Sequence, residues 1–370
     1  MPYYSNLRYD FKDRNHRKYV AQKIIALKNQ LERDIPQKKS EDALTIATWN
    51  IRDFGKSNRR GYGQRTKDSL YYIAEIISSF DLVAVQEVNE LDEWEKVMDI
   101  LGASWDYIAT DVTHIGLGGN GERLTFVFDR RKVQFKNIAG EIVLPKEMLI
   151  SDSEITETDD PLAHGKQFRR TPFVVSFQSG WFKFDICTVH IYYGEGRSGL
   201  AQRISEIKTV ADYLSKRADK VLTKDKKATI LLGDFNIIRP DHKTMLALEE
   251  NGFTIPKSIK SKKANVLETM HYDQIAFKCE QEIIDFVDSK ANSGVIKVFD
   301  SVFQLLDEDF RFYKDELLKS SNAKQNDESD ESLQTYYKDW RTYQMSDHNV
   351  LWARINNNNS IQYLNRIHLG

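Results

Sequence analysis

The sequence predicts an α/β fold in which two β-sheets pack on each other beneath an outer cover of helices. Three observations lead there. First, short apolar runs of strand character recur along the chain, among them LTIATWNI (44–51), DLVAVQEV (81–88), ATILLGDFN (228–236) and NVLWARI (349–355). Second, some runs come as adjacent pairs while others are separated by amphipathic helices. That mixture argues for two packed sheets rather than one purely parallel sheet. Third, 370 residues of which 41% are apolar suffice to bury a large core, as one large α/β domain or two ordinary ones.

The elements follow in order. Residues 16–34 place Val20, Ile24, Leu27 and Leu31 at helical spacing among charges, so an N-terminal extension (1–43) carries an amphipathic helix docked on the body or on a partner. LTIATWNI opens the main domain (44–356) as a strand. DSLYYIAEIISSF reads as a helix with Leu70, Ile73, Ile77 and Phe80 on one stripe, DLVAVQEV as a buried strand, and a helix begins near Asp92. RLTFVFDRRKVQF and TPFVVSFQSGWFKFDICTVHIYY read as strand pairs, the second a hairpin turning at Ser179-Gly180. GLAQRISEIKTVADYLSKRA is a helix with Ile204, Ile207, Ala211 and Leu214 inward; ATILLGDFN, HYDQIAF and NVLWARI are strands. Residues 145–166 and 318–335 read as polar loops, and the tail 357–370 as part of a segment mobile after Ile355. No internal repeat is visible.

The net charge of −2 conceals an uneven distribution. Residues 1–39 carry ten Lys/Arg against four Asp/Glu, residues 52–67 six against one, and residues 300–331 four against ten. The two basic blocks suit a polyanionic partner, although charge runs are commonly just solvated surface. Cys187 and Cys279 sit in or beside apolar runs and read as small core residues of a reduced compartment. The N-terminus lacks an apolar leader and no stretch approaches a membrane span, so the expected location is cytoplasmic, with no membrane partner.

Polar residues gather at the strand ends. TIATWN ends on Asn50, LVAVQE on Glu87, FDICTVH on His190 and ILLGDFN on Asp234 and Asn236; HYDQIAF embeds Asp273, and SDHNVLWARI opens with Asp347-His348. Strand ends are where α/β scaffolds hold ligand-binding side chains rigidly. Taken together these residues suit a divalent-metal site with acid/base partners. Glu87 offers a hard oxygen ligand. Asn50 and Asn236 orient water or phosphate without adding charge, and His190 and His348 exchange protons near neutrality. Glu122 and Asp273 are spare acids able to fix the imidazole tautomers. Each motif alone has an ordinary structural explanation, a turn, a cap or a surface acid; the ordered set is what carries weight. The glycine stretch GLGGNG lacks the Lys-Ser/Thr and helix of a phosphate loop.

In order, ATWNIRDFG, DLVAVQEV, ERLTFVFDRRKV, RRTPFVVSF, TVHIYYG, LLGDFN, YDQIAF and SDHNVLWARI resemble the signature blocks of the endonuclease/exonuclease/phosphatase superfamily, in its deoxyribonuclease I-like branch, over residues 44–356. The resemblance implies a four-layer α/β sandwich, two packed mixed sheets flanked by helices, with a cleft where the sheets meet. It also implies Mg²⁺-dependent cleavage of phosphoesters, with Mn²⁺ a substitute. Carried over by motif, Glu87 is the principal metal ligand with Asn50 and Asp347 near the metal. Asp234 orients or deprotonates the attacking water, Asn236 and Arg170 hold the phosphate, and His190 pairs with Glu122 and His348 with Asp273.

The phosphoinositide-phosphatase and abasic-site endonuclease branches fit less well because their signature blocks differ from those here, and the sphingomyelinases because they bring signal peptides and exposed apolar hairpins not seen in this sequence. The expected function is therefore a cytoplasmic DNA endonuclease of low sequence specificity. The alternative is an RNase, or a phosphatase or phosphodiesterase acting on a nucleotide or phospholipid headgroup. Asn89 and Asn120 stand where the secreted nucleases present an Arg and an aromatic to the minor groove, which argues against docking of that style. The basic stretch RDFGKSNRRGYGQRTK, with Arg52, Arg59, Arg60 and Arg65, is the expected substitute for phosphate contact. The N-terminal extension is an expected docking element for a regulatory protein.

Overall fold

The strand Ala43–Phe54 (β1) sorts its side chains by the period of two. Leu44 and Ile46 enter a core shared with the second sheet, whereas Ala47, Trp49 and Ile51 enter a separate core beneath outer helices. The computed structural model describes residues 2–35, 41–56, 59–112, 121–150, 166–225, 227–323, 329–358 and 360–369.

The first sheet adds Leu82–Val88 (β2), Trp105–Ala109 (β3), Arg123–Asp129 (β4), Ser293–Ile296 (β10) and Val350–Asn356 (β11) to β1, in the order β10-β11-β1-β2-β4-β3. Within it β1 runs parallel to β2 and antiparallel to β11. The second sheet runs in chain order through Gln134–Glu141 (β5), Phe173–Ser179 (β6), Phe182–His190 (β7), Ala228–Asp234 (β8) and Asp273–Lys278 (β9). In this sheet only β7 and β8 are parallel. Their crossover is the helix Gly196–Asp225, which buries Ile207, Val210, Ala211 and Leu214 against the second sheet. The helices Arg14–Asp34 (α1), Lys67–Ile77 (α2) and Leu91–Leu101 (α3) cover the outer face of the first sheet. With Gly196–Asp225 as α4, the layers are helix, sheet, sheet, helix. Asp307–Leu318 (α5) and Asp330–Gln344 (α6) add to the first helical layer.

Several expectations change. RLTFVFD and KVQF are not partners: β4 pairs with β2 and β3, whereas β5 pairs with β6 in the other sheet. The hairpin loop is Gly180-Trp181, because Ser179 still pairs with Phe182. Helix α2 is buried from Asp68 to Ile77 on every side, not along one stripe, because α1 lies over it. The N-terminal helix docks on the body: Val20, Leu27 and Leu31 are fully buried, Tyr19 stacks on Phe312 at 3.6 Å, and Lys23 meets Asp309 at 2.6 Å. The region 318–335, read as loop, enters α6 at Asp330. The segment expected to be mobile after Ile355 ends β11 at Asn356 and then forms the helix Ser360–Leu369. Both cysteines are free. Among the described residues no helix is long and apolar enough to cross a membrane.

Candidate active site

Three candidate residues stand side by side on adjacent strands of the second sheet. His190 of β7 pairs with Asp234 of β8, and Asp234 with Asp273 of β9. Residues paired across strands project to the same face. That face points at the first sheet, because Thr188, two residues before His190, accepts a hydrogen bond from Gln86 Nε2 at 2.9 Å. Gln86 Nε2 also donates to Thr48 Oγ1 at 3.1 Å. All three residues are fully buried, a polar strut between the sheets directly behind the site. Two residues beyond Thr48 on the same face, Asn50 enters from the first sheet. Glycine is required at 233, where φ is +134° and a Cβ would lie 2.1 Å from the Val189 carbonyl oxygen.

Glu87 arrives by a different device. The pleat alone would send it outward with Val83 and Val85. A register irregularity between Val85 and Val88, with φ of +66° at Glu87, turns the carboxylate into the cleft. Left-handed φ also occurs at Arg52, Asp53, Arg60 and Asn236, all of which line the same cleft. Such conformations cost roughly 1–3 kcal/mol each in non-glycine residues and concentrate at functional sites. Asp234 and Asn236 do converge, by a turn rather than by strand alternation: the strand ends at Asp234, and the Asn236 N–H donates to Asp234 Oδ1 at 2.9 Å.

The cleft has a volume of about 230 Å³. Asn50 Nδ2 donates to Glu87 Oε1 at 2.9 Å and Asp234 Oδ2 at 3.1 Å, and Asn50 Oδ1 accepts from the Arg52 N–H at 3.0 Å. The other Glu87 oxygen accepts from the Asp53 N–H at 2.7 Å. Two histidine–acid pairs flank Asp234. His190 Nδ1 lies 2.8 Å from Glu122, and its Nε2 lies 3.6 Å from Asp234 and 3.8 Å from Glu87. His348 Nδ1 lies 2.7 Å from Asp273, and its Nε2 lies 3.7 Å from Asp234. Each imidazole is thus anchored at Nδ1 and presents Nε2 to the cleft. Arg170 pairs with Glu122. Asp347 is half exposed at the rim, 3.5 Å from Arg52, whose guanidinium stacks on Tyr343.

Burial pushes the pKa of Glu87 up; the His190 charge opposes this, while Glu122, Asp53 and Asp347 add to it. Burial also acts to raise Asp234, but the two imidazoles, the Asn236 N–H and Asn50 outweigh it and hold the group below the usual carboxylate range. Burial and Arg170 act to lower His190, and Glu122 and Asp234 overcome them to leave it raised. Burial likewise works against His348, which Asp273 and Asp234 lift well above its ordinary value. Burial pushes Asp273 up to about 6, with His348 pulling it back only in part. Glu87, Glu122 and His190 each bring a donor atom within 4.8 Å of the others. Glu122 and His190 spend that contact on each other, leaving Glu87 as the carboxylate most in need of a cation.

The nucleic-acid residues divide. Arg52 and Arg60 line the cleft. Arg65 is turned inward rather than held at the surface for phosphate: its guanidinium donates to the carbonyls of Ile51 and Arg52 (2.9 Å) near the end of β1, and of Gln344 (3.1 Å) and Met345 (3.0 Å) at the C-terminus of α6, where a helix leaves carbonyls without partners. The Arg59 side chain and Asn120 lie outside what the structure describes. Asn89 is buried, donating to the Phe54 and Glu87 carbonyls at 3.2 and 3.0 Å.

Some contributors were missed. Ser346 Oγ donates to the Asn50 carbonyl at 2.5 Å and accepts from the His348 N–H at 2.8 Å, tying both sides of the cleft; its place in SDH was the available signal. Arg203 of α4 is buried and donates to the carbonyls of Tyr193 (2.9 Å), Gly194 (3.3 Å) and Asn236 (2.9 Å). Nothing local in the sequence marks it. Tyr193 and Tyr272 complete the rim.

No family model and no curated protein matches the chain. Solved structures similar to it include a mannosyl-6-phosphatase of Bacteroides thetaiotaomicron, at 17% identity and TM-score 0.45 over 64% of this chain and 85% of that one. An endonuclease/exonuclease/phosphatase family protein of the same species is 15% identical, TM-score 0.48, over 85% and 94%. The human Nocturnin catalytic domain with bound sulfate is 12% identical, TM-score 0.46, also over 85% and 94%. Likeness at this level carries no argument about chemistry, which rests on the side chains of the cleft.

Proposed function

We propose that this chain is a metal-dependent phosphodiesterase of the endonuclease/exonuclease/phosphatase superfamily, acting as a DNA endonuclease of low sequence specificity. The observation that carries the reading is the convergence, from both sheets onto one cleft, of Glu87, Asp234 and the pairs His190–Glu122 and His348–Asp273, with Arg170 beside them. The residues fit a hard divalent cation. Their donors are carboxylate oxygens, and the mutual repulsion of Glu87, Glu122, Asp53 and Asp347 is what such an ion relieves. Glu87 and Asp347 would hold Mg²⁺ or Mn²⁺, with Asn50 fixing the Glu87 carboxylate. The ion would supply charge neutralisation at the phosphoryl oxygen.

The remaining chemistry belongs to the chain. Asp234, held ionised between two imidazoles, orients a water and takes its proton as the oxygen bonds to phosphorus. One P–O bond forms and one breaks, and a protonated imidazole hydrogen-bonds the phosphate or hands a proton to the leaving oxygen. Arg170 and Asn236 hold the phosphate, Arg through its fork of donors. Arg52 and Arg60 extend the positive rim for neighbouring phosphates.

The test is incubation of purified wild type and Asp234→Ala with supercoiled plasmid, single-stranded DNA, RNA and small phosphoesters, with Mg²⁺ or with EDTA. Metal-dependent nicking lost in the variant is expected. Folded protein that cleaves small phosphoesters but no nucleic acid would overturn the DNA assignment.

A further inference from the structure

Tyr193 is a large aromatic residue left 46% exposed where β7 exits into the cleft. Its ring is mounted. The Arg203 guanidinium lies 4.2 Å from the ring centroid and is fixed by the carbonyls of Tyr193, Gly194 and Asn236. Tyr272 meets the ring edge-on, with centroids 6.5 Å apart and planes at 85°, and itself lies 5.6 Å from the His348 ring. One buried arginine therefore sets both the aromatic platform and the backbone of Asn236. The ring keeps a fixed relation to the place where the phosphate is held.

We propose that Tyr193 is a stacking platform for an unpaired nucleobase adjoining the scissile phosphate, which makes single-stranded nucleic acid the preferred substrate class. The proposal rests on the phosphodiesterase reading and deepens it. Two features favour a base over a sugar ring. Arg52, Arg60 and Arg170 line the same cleft and suit a ligand with several phosphates. A π-face on a rim stacks on any base without reading it. A base still paired in a duplex cannot offer its face to this ring, and the buried Asn89 is withdrawn from groove contact.

The experiment measures binding in EDTA, where cleavage does not interfere. Anisotropy would compare a labelled single-stranded oligonucleotide, the same strand carrying a run of abasic sites, and the matched duplex. Wild type should favour the base-bearing strand. Tyr193→Ala and Tyr193→Leu should lose about tenfold for that strand alone, as expected for one stacked base, and Tyr193→Phe should retain binding. Equal affinity for base-bearing and abasic strands, preference for duplex, or wild-type binding by Tyr193→Leu would each overturn the platform. Plasmid nicking by the same preparations separates the two ideas. Nicking that persists without base-dependent binding fells only the platform, whereas absence of both nicking and nucleic-acid binding fells the nuclease reading with it.

Discussion

On the outer flank, buried charges are matched one to one: Lys23 meets Asp309 at 2.6 Å, Lys28 meets Glu75 at 3.1 Å, and His16 meets Asp68 at 3.1 Å. In the cleft, Glu87 shares one small space with Glu122, Asp53 and Asp347, and Asp234 is faced by two imidazoles at once. Five of the eight left-handed non-glycine residues among the described residues also line the cleft. The flank spends its charges on holding a helix, whereas the cleft keeps charges and backbone in arrangements that folding alone would not select. Functional sites are where such violations gather.

The largest effect expected from breaking this contrast is kinetic. Asp234→Asn should lower cleavage by roughly 10²–10⁴-fold, the range for losing a positioned acid or base, with melting temperature held within a few degrees. A stability loss matching the activity loss would place Asp234 with the flank residues instead. The mirror experiment is Lys23→Met, which leaves Asp309 buried without its cation. Denaturant titration should register a loss of about 3–5 kcal/mol, and cleavage per folded molecule should stay at the wild-type level.

Arg65→Ala sharpens the contrast within the basic stretch. Removing donors from buried carbonyls should cost about 1–3 kcal/mol. The salt dependence of oligonucleotide binding should keep its slope, whereas a true phosphate contact would reduce that slope by about one. The smallest effect concerns His16. Its hydrogen bond to Asp68 is the main cause raising its pKa, with burial opposing. A raised folded-state value means the contribution is complete below the ordinary histidine range and fades as pH rises through the folded value. The melting-temperature gap between wild type and His16→Gln should therefore be widest at mildly acid pH and close on the alkaline side; a gap that widened with pH would reverse the assignment.

Much of the fold is written in local pattern. The strands that carry the cleft are apolar runs ending in a polar residue, because a buried strand must become polar where it emerges. Ala228–Asp234 shows this directly. Trp105–Ala109 and Ser293–Ile296 escaped notice, since both are short sheet-edge strands with little alternation. The division of β4 and β5 between sheets is a tertiary choice that neither segment encodes. In the cleft, the sequence names residues that the structure brings together, but not their aim. Alternation points Glu87 away from the cleft, and only the irregularity beside it brings it back. Arg65 was expected at a phosphate and Arg203 drew no expectation, because carbonyls each binds lie far away in sequence: Arg65 and Met345 are 280 residues apart, Arg203 and Asn236 33.

The bond from Ser346 to the Asn50 carbonyl closes a span of 296 residues. It makes completion of the cleft a property of topology. A chain still emerging from the ribosome carries Asn50, Glu87, His190 and Asp234 well before Ser346 and His348. The strand that carries them into position must then insert between β1 and β10. Until that strand is in place the cleft lacks Ser346 and His348.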